Sequence, residues 1–527
     1  MRRSWVGLTV WMSAVALGVS AGWAHAQSAA GGGRSGGFGG HRHAFHAAGV
    51  MGPQPLMMCD CGATAGGVGG GWRPGSGLPL PAAVGVGGGG VELLRDVDAG
   101  DGSGGSGGGG AGVASSGLTV PAWSSRPQAS AKLYLKFDGI TYEGNWGNTG
   151  RAPGVVPAYS VDADRTNFSA TELNNMFQIW SRVAEAFSPF NVDVTTVDPG
   201  TPTGRQSARV IIGGSNAWYS SSAGGVAYIA GFVYADYHFG TAWVFPDNLG
   251  GGSPKFVADA TIHEAGHLFG LYHQQNRAPD GTLISGYRDF ENDPISAPIM
   301  GVAYNRQRGV WSGGVVGYSG GQFILQDDLR QIASTSGSPY AHPFLGGGYW
   351  NGFGYRADDH GDTAASATVL AEMAASPLGL VAGPGPRVLT ASGVIETTSD
   401  VDVFQFETWT AGAVSVAVDN AAFGAMLDVR LLLWDAAMTL LADVNPSIHT
   451  TGPDFGLDAA WTGTLAAGTY YVGVASSGGY GDVGQYTLTV TLPFATVPEP
   501  AGVLGALMVL AWGGLRRGEA RWGVRVG

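Results

Sequence analysis

One stretch near the middle of the chain constrains its fold more than any other, and it reads HEAGHLFGLYH from residue 263 to residue 273. Residues four positions apart share one face of an α-helix, so His263 and His267 can direct their imidazoles at the same metal ion. Gly270 tolerates left-handed backbone angles, so the chain can leave the helix there and bring His273 round as a third ligand. Glu264 stands one residue round from His263, where it can hold a water molecule rather than bind the metal. The stretch therefore predicts a helix that ends in a three-histidine metal site.

The number of ligands indicates which metal chemistry to expect. Three protein ligands leave one position for water, as in catalytic zinc sites, whereas structural zinc sites usually have four protein ligands. A bare H-E-x-x-H also occurs by chance on a solvated helix face, but the full pattern fixes five positions. We therefore favour a Zn²⁺ site in which Glu264 is the catalytic base, taking a proton from a water that the metal polarises.

The pattern resembles the zinc motif of the metzincin metallopeptidases. Members of that group carry a Met-turn, a methionine-containing loop beneath the metal, and the sequence APIMG at 297–301 fits that role with Met300. Some members use a tyrosine two residues after this methionine at the metal, but that position here is Val302. Tyr304 is a weaker candidate for such a role, and packing in the core or at the rim explains it more simply.

The sequence before the motif resembles the reprolysin (adamalysin-like) branch of the metzincins. Its order is GVAYIA at 225–230, TAWVF at 241–245, and then the zinc helix. The resemblance extends over roughly residues 131–343 and implies an edge strand for extended peptide substrate, formed by Gly225, Val226, Ala227 and Tyr228. Two features depart from the branch: Gln274 stands where reprolysins have Asp, and the many disulfides are missing.

The fold class that follows is an α+β metzincin-like catalytic domain at 131–345, with a mixed twisted sheet and a zinc helix. Within it, Leu133, Leu135 and Phe137 alternate with polar residues and predict a strand. Ser169 and Glu172 form a capping-box pattern that opens a helix. Ser253 and Pro254 suit the first positions of the zinc helix.

The N-terminal part of the chain differs sharply in composition. Residues 1–26 have the basic start, apolar centre and small-residue end of a secretory signal peptide. Residues 27–130 are rich in glycine, which makes up 91 of the 527 residues of the chain, and we expect a disordered pro-segment or spacer there. Cys59 and Cys61 are the two cysteines of the chain. Because some metzincin pro-segments block the zinc with a thiolate or an aspartate, the resemblance makes them candidates for latency; a free or intermolecular thiol is the alternative.

The C-terminal part predicts a second domain. A linker at 346–357 leads into residues 358–493, whose short alternating strands are typical of an antiparallel β-sandwich. This region resembles the bacterial pre-peptidase C-terminal domain, which accompanies secreted peptidases and is often removed on maturation. The acidic cluster at 358–362, reading DDHGD, is either a Ca²⁺ site or a solvated turn.

The last segment, 494–527, resembles the PEP-CTERM sorting signal. Pro498-Glu499-Pro500 precedes an apolar run at 501–515 and the pair Arg516-Arg517. The resemblance implies that a sortase-like membrane enzyme processes the tail, and that the protein is exported to the outer envelope surface or beyond after transient anchoring in the membrane. An ordinary C-terminal anchor is the alternative, although fifteen apolar residues fall short of the ~20 that span a bilayer comfortably.

Together these features predict a secreted zinc-dependent endopeptidase that acts on protein or peptide substrates. A net charge of −13 and the lack of a basic patch argue against nucleic acid as a partner. Two alternatives from other classes stay open: a catalytically silent surface or matrix protein, and a zinc hydrolase that does not cleave peptides.

Overall fold

The computed structural model describes seven ranges of the chain and the backbone of one short strand. The ranges are 118–219, 222–234, 237–290, 293–336, 349–370, 386–448 and 455–493, and the strand is Met58–Cys61. The predicted signal peptide, most of the glycine-rich segment and the predicted sorting tail lie outside these residues. Within the described ranges, no helix has both the length and the apolar character needed to cross a bilayer.

The first domain is built on a six-stranded sheet, ordered β1-β7-β8-β6-β2-β5. Strands β2, β5, β6 and β8 run parallel to one another, β7 pairs antiparallel with β8, and β1 pairs antiparallel with the other side of β7. The prediction of a mixed sheet is therefore confirmed. The six strands are β1 Met58–Cys61, β2 Ala131–Lys136, β5 Val192–Thr195, β6 Ser207–Ile212, β7 Gly225–Tyr228 and β8 Thr241–Val244.

Two long helices pack against each other and against this sheet: α1 Ala170–Ala186 and α3 Pro254–Leu268. The predicted capping box is confirmed, since the Ser169 side chain accepts from the Glu172 backbone N–H and the Glu172 carboxylate accepts from the Ser169 N–H. At the start of α3, Ser253 takes the N-cap position but its side chain makes no capping hydrogen bond. The predicted positions are nevertheless confirmed, because Ser253 is the N-cap and Pro254 lies in the first turn, where its missing backbone N–H would have no intrahelical partner.

Shorter elements complete the first domain. The small helices are α2 Gly231–Tyr234 and α4 Asp328–Ile332, with a 3₁₀ turn at Pro246–Asn248. The remaining strands form two-stranded pairs: β3 Ile140–Tyr142 with β4 Gly154–Val156, β9 Asn276–Arg277 with β10 Leu283–Ser285, β11 Ser296–Pro298 with β12 Arg308–Val310, and β13 Gly313–Ser319 with β14 Gln322–Asp327.

The flanks of the first domain also pack onto it. Trp123 lies against Phe177 and Trp180 of α1, so residues before Ala131 contribute to the core. In the predicted linker, the Asn351 amide is buried and donates to backbone carbonyls of the zinc helix C-cap and of α4. This half of the linker is therefore fixed to the first domain.

The second domain consists of two sheets that share one apolar core. Apart from the short parallel pair of β15 with β17, neighbouring strands are antiparallel, which confirms the predicted all-β region. One sheet has the order β15-β17-β22-β19-β20 and the other β16-β23-β18-β21. The strands are β15 Thr368–Val369, β16 Arg387–Ile395, β17 Val401–Thr408, β18 Gly412–Asn420, β19 Val429–Asp435, β20 Leu440–Val444, β21 Ala459–Leu465, β22 Gly468–Ser476 and β23 Gly484–Leu492.

Buried polar contacts join the two domains. The Arg308 guanidinium, on β12, pairs with the Asp482 carboxylate and donates from Nε to the Met426 carbonyl at 2.9 Å. The Glu185 carboxylate, on α1, accepts from the backbone and side-chain N–H groups of Gln485. Because Arg308 belongs to the strand that pairs with β11, the β-sandwich contacts the segment that leads to Met300.

Candidate metal centre

The structure brings the three predicted ligands together at the end of α3. The Nε2 atom of His267 lies 3.1 Å from Nε2 of His263 and 3.0 Å from Nε2 of His273. Gly270 adopts φ +95°, the left-handed turn that the sequence predicted, and this turn carries His273 back toward the helix. His263 and His267 are buried and His273 is partly buried.

The hydrogen bonds of these rings suit a metal ion. His263 Nδ1 lies 2.8 Å from the Ile299 carbonyl and His267 Nδ1 lies 2.7 Å from the Leu271 carbonyl. A carbonyl oxygen can only accept, so each Nδ1 carries the proton and each Nε2 presents a bare lone pair. Two lone pairs about 3 Å apart repel each other unless a cation lies between them. Nitrogens at the ~2.0–2.1 Å bond length of tetrahedral zinc stand a similar distance apart, so the residues fit zinc.

Burial keeps these imidazoles neutral at ordinary pH. It lowers the pKa of His263 to about 4. Burial and the neighbouring imidazoles also lower the pKa of His267 and of His273 well below the usual 6.5. Metal binding therefore does not have to compete with protons near neutral pH.

Met300 lies beneath the helix, where the Met-turn resemblance placed it. It is fully buried, and a Cβ added to Gly266 would lie 2.6 Å from its sulfur. Gly266 thus lets the methionine approach the helix backbone between the two helical histidines. The residue before it, Ile299, supplies the carbonyl that orients His263. One turn therefore both supports the site from below and fixes one ligand.

Glu264 lies on the helix beside the ligands and is completely buried. Its carboxylate lies directly under strand β7, because a Cβ on Gly225 would be 2.7 Å from Glu264 Cγ and 2.8 Å from Oε1. The absence of a side chain at Gly225 therefore makes room for the carboxylate. This contact places Glu264 between the zinc helix and the strand proposed to bind substrate.

The predicted substrate strand is present but is not at the edge of the sheet. Gly225–Tyr228 forms β7, yet the backbone of β1 pairs with its outer side in antiparallel register. In this register Cys59 is opposite Ala227 and Cys61 is opposite Gly225, while residues 58 and 60 are opposite Tyr228 and Val226. The prediction of an edge strand was therefore wrong for this chain, because its own N-terminal segment takes the position of an added strand.

Gln274, the departure from the reprolysin pattern, is the centre of a buried network. Its side-chain amide donates to the Ser312 carbonyl at 2.6 Å and to the Asp328 carboxylate at 3.0 Å. Asp328 also accepts from the Ser312 backbone and from Gln326. Burial raises the pKa of Asp328 to about 7. The carboxylate of this network comes from Asp328, at the start of α4, and sequence reasoning missed this contact.

Tyr287 packs beside the site, and sequence reasoning also missed it. Its ring lies 4.4 Å from that of His273 and 6.4 Å from that of His263, measured between centroids. Tyr304, the candidate from the sequence, instead packs against Phe256 in the first turn of α3. No short motif marks Tyr287, since it lies in a loop between the third histidine and the Met-turn.

A second group of possible metal ligands lies in the β-sandwich. Carboxylate oxygens of Asp358, Asp400 and Asp402 lie within 4.8 Å of one another. Asp402 is fully buried; its Oδ2 accepts from the Tyr486 hydroxyl at 2.5 Å. Its Oδ1 has no hydrogen-bond partner among the described residues. Burial, followed by the charges of Asp400 and its neighbours, raises the pKa of Asp402 to about 8. Of the predicted acidic cluster at 358–362, only Asp358 belongs to this group.

Residues 203–274 match the family described as Metallo-peptidase family M12B Reprolysin-like. The matched segment contains β6, β7, β8 and α3 and includes the three histidines and Glu264. It supports a zinc metallopeptidase. No curated protein matches the chain.

Solved structures are similar to parts of the chain. The pre-peptidase C-terminal domain of a collagenase from Bacillus anthracis is 18% identical and covers 19% of this chain and 86% of that domain, with a TM-score of 0.15. PliG from Aeromonas hydrophila, a periplasmic inhibitor of g-type lysozyme, is 13% identical, with a TM-score of 0.17. The similarity covers 24% of this chain and 95% of the PliG chain. TM-scores this low carry no argument about this chain.

Proposed function

We propose that this protein is a secreted, zinc-dependent endopeptidase of metzincin type. The observation that carries the proposal is the convergence of three neutral imidazoles beside a buried glutamate. The Nε2 atom of the middle histidine lies 3.0–3.1 Å from the Nε2 atoms of the other two. The match of the same segment to a metallopeptidase family supports it. The signal-peptide pattern at 1–26 is the basis for the proposed secretion.

The histidines and the glutamate have different roles in the proposed reaction. His263, His267 and His273 would hold zinc, which supplies a Lewis acid that polarises water and a peptide carbonyl. Glu264 takes a proton from the water and passes it to the leaving amine. Because Glu264 is buried between α3 and β7, its carboxylate would lie close to the backbone of a substrate peptide bound alongside β7. A peptide bound in extended form would use the hydrogen-bonding groups of β7 that β1 now occupies.

A casein-degradation assay with and without a zinc chelator tests the proposal. We expect cleavage of denatured casein, loss of cleavage with chelator, and recovery on adding zinc. Stoichiometric zinc without any cleavage would favour the silent surface protein. Zinc-dependent hydrolysis of model esters without peptide cleavage would favour a different zinc hydrolase.

We further propose that β1 makes the full-length chain latent. The backbone of Met58–Cys61 lies along β7 and against α3, the position that a substrate strand would take. If a thiolate contributes, the double variant Cys59→Ser and Cys61→Ser should be active without processing. If strand pairing alone blocks the cleft, that variant stays latent while replacement of 58–61 by Gly-Ser repeats activates the protein. Full activity of the unprocessed wild type would contradict both versions.

For the C-terminal tail we propose envelope sorting. The sequence Pro498-Glu499-Pro500, followed by a short apolar run and Arg516-Arg517, is the basis, with a sortase-like membrane enzyme as the partner. Truncation after Pro493 should release the protein into the medium. An unchanged membrane-associated fraction would contradict the sorting role.

We also propose that the group formed by Asp358, Asp400 and Asp402 binds Ca²⁺. Its support is the closeness of the three carboxylates, whose oxygens lie within 4.8 Å of one another, and a buried Asp402 oxygen that has no hydrogen-bond partner among the described residues. Hard cations prefer such oxygen ligands. Calcium should raise the melting temperature of the wild type but not of Asp402→Asn. Glu407→Gln, on the same strand and exposed, is the control and should respond like the wild type. The absence of any calcium effect on the wild type would refute the site.

A further inference from the structure

The three histidines are not held in the same way. His263 and His267 each donate from Nδ1 to a backbone carbonyl. For His273, the contacts within the described part of the chain include no such bond from Nδ1; its Nε2 faces His267. Histidine ligands almost always have an outer partner that fixes the orientation of the ring. Something else must orient His273, which sits on a loop beyond the end of the helix.

The Tyr287 side chain is placed to do this. Its ring centroid is 4.4 Å from that of His273, with 40° between the ring planes, so the two rings are in close, tilted contact. The same ring reaches toward His263 at 6.4 Å. Tyr287 is partly buried, so part of its side chain stays accessible to solvent.

The backbone around Tyr287 is fixed on both sides. The Ser285 hydroxyl donates to the Tyr287 carbonyl at 2.7 Å and accepts from the Tyr287 N–H at 3.2 Å. The next residue, Arg288, donates its N–H to the Gln274 carbonyl at 2.7 Å and accepts from the Val302 N–H at 3.0 Å. The loop is therefore tied both to the residue after His273 and to the residues after Met300.

We propose that Tyr287 is a positioning residue that holds the His273 imidazole in its ligand orientation by ring packing. The inference rests on the proposed function, because it concerns the third ligand of the same zinc site. Aromatic packing restricts rotation about the His273 side-chain bonds, as the carbonyl hydrogen bonds do for the two helical histidines. The planar ring is what matters in this account, and the hydroxyl is not required.

The test compares zinc affinity, by competition with a chromophoric chelator, in three variants. Tyr287→Phe keeps the ring and should bind zinc within about threefold of the wild type. Tyr287→Ala should bind roughly 10–100-fold more weakly, the usual effect of losing an outer partner. Tyr304→Ala is the matched control, since its ring packs on Phe256, and its zinc affinity should be unchanged. If Tyr287→Ala does not fold, Tyr287→Leu replaces it and should also weaken binding.

A second readout separates positioning from general stability. The visible spectrum of the cobalt-substituted protein should change in Tyr287→Ala, because a ligand shifts, and should be unchanged in Tyr304→Ala. Wild-type affinity in Tyr287→Ala, or equal weakening by Tyr304→Ala, would overturn the inference while leaving the proposed function intact. A Tyr287→Phe variant that keeps zinc but loses turnover would also overturn it, because the hydroxyl would then act in the chemistry. A wild type that takes up no zinc would overturn the proposed function itself.

Discussion

Substitution of Gly225 by alanine tests whether Glu264 must sit against β7. The added methyl group would lie 2.7 Å from Glu264 Cγ, 2.8 Å from Oε1 and 2.9 Å from the Trp243 carbonyl oxygen. Unbonded carbon atoms prefer about 3.5–4.0 Å, so the carboxylate or the strand has to move by roughly 1 Å. The backbone of β7 is paired on both sides, so we expect the carboxylate to move.

The magnitude follows from that displacement. A misplacement of about 1 Å in a catalytic group can cost on the order of 10²-fold in rate, so we expect turnover to fall roughly 10–100-fold. Overpacking should also cost about 1–3 kcal/mol of stability. Zinc content should be unchanged, because the three atoms nearest to the added methyl group belong to Glu264 and Trp243 and not to the histidines.

A quenched-peptide assay, with zinc determined by elemental analysis, measures both quantities. Gly313→Ala is the control, because its added Cβ would meet the Gln326 carbonyl oxygen at 3.8 Å, an ordinary van der Waals distance. It should keep full turnover. Full turnover in Gly225→Ala, or loss of zinc from that variant, would refute the reasoning.

Three further predictions concern the buried polar groups. Asp328→Asn should destabilise the protein by about 1–3 kcal/mol in chemical denaturation. The substitution replaces one carboxylate oxygen, which accepts hydrogen bonds in the buried network, by an NH₂ group that cannot accept them. Wild-type stability in this variant would contradict the network's role. Arg308→Ala should lower the free energy of unfolding by about 3–5 kcal/mol, since it leaves Asp482 buried without its Arg308 partner. Arg430→Ala, which breaks an exposed ion pair, should change the stability little. Equal effects of the two substitutions would count against the role of Arg308 in joining the domains. Burial raises the pKa of Glu185 from 4.5 to about 7, so its contribution to stability is full below pH 4.5 and is lost as the pH rises to about 7. The free energy of unfolding of the wild type should therefore fall over this range relative to Glu185→Gln, and a constant difference would contradict the assignment.

Local patterns predicted the parts of the site that depend on neighbouring residues. The helix and its left-handed exit at Gly270 follow from spacing within a short stretch and from the limits of backbone geometry, whereas the candidate Met300 came from the family resemblance. The capping box at Ser169 followed for the same reason. Alternating residues also predicted the strands of the C-terminal domain, since the period of two depends only on which face is buried.

Contacts between distant residues were beyond these patterns. Asp328 meets Gln274 across 54 positions, and Arg308 meets Asp482 across 174, so no local spacing reveals either pair. Tyr287 is likewise brought to His273 by a loop whose path depends on tertiary hydrogen bonds. The pairing of β1 with β7 was missed because a glycine-rich surrounding gave no sign of a strand at 58–61.

The most direct test of the account is turnover per bound zinc in Glu264→Ala. We predict near-stoichiometric zinc, because the three histidines remain, together with a rate at least about 10²-fold below that of the wild type, the low end of what general acid–base catalysis contributes. His267→Ala is the comparison and should lose zinc and activity together. A Glu264→Ala protein that keeps its full rate, or one that loses zinc as completely as His267→Ala, would contradict the role assigned to Glu264.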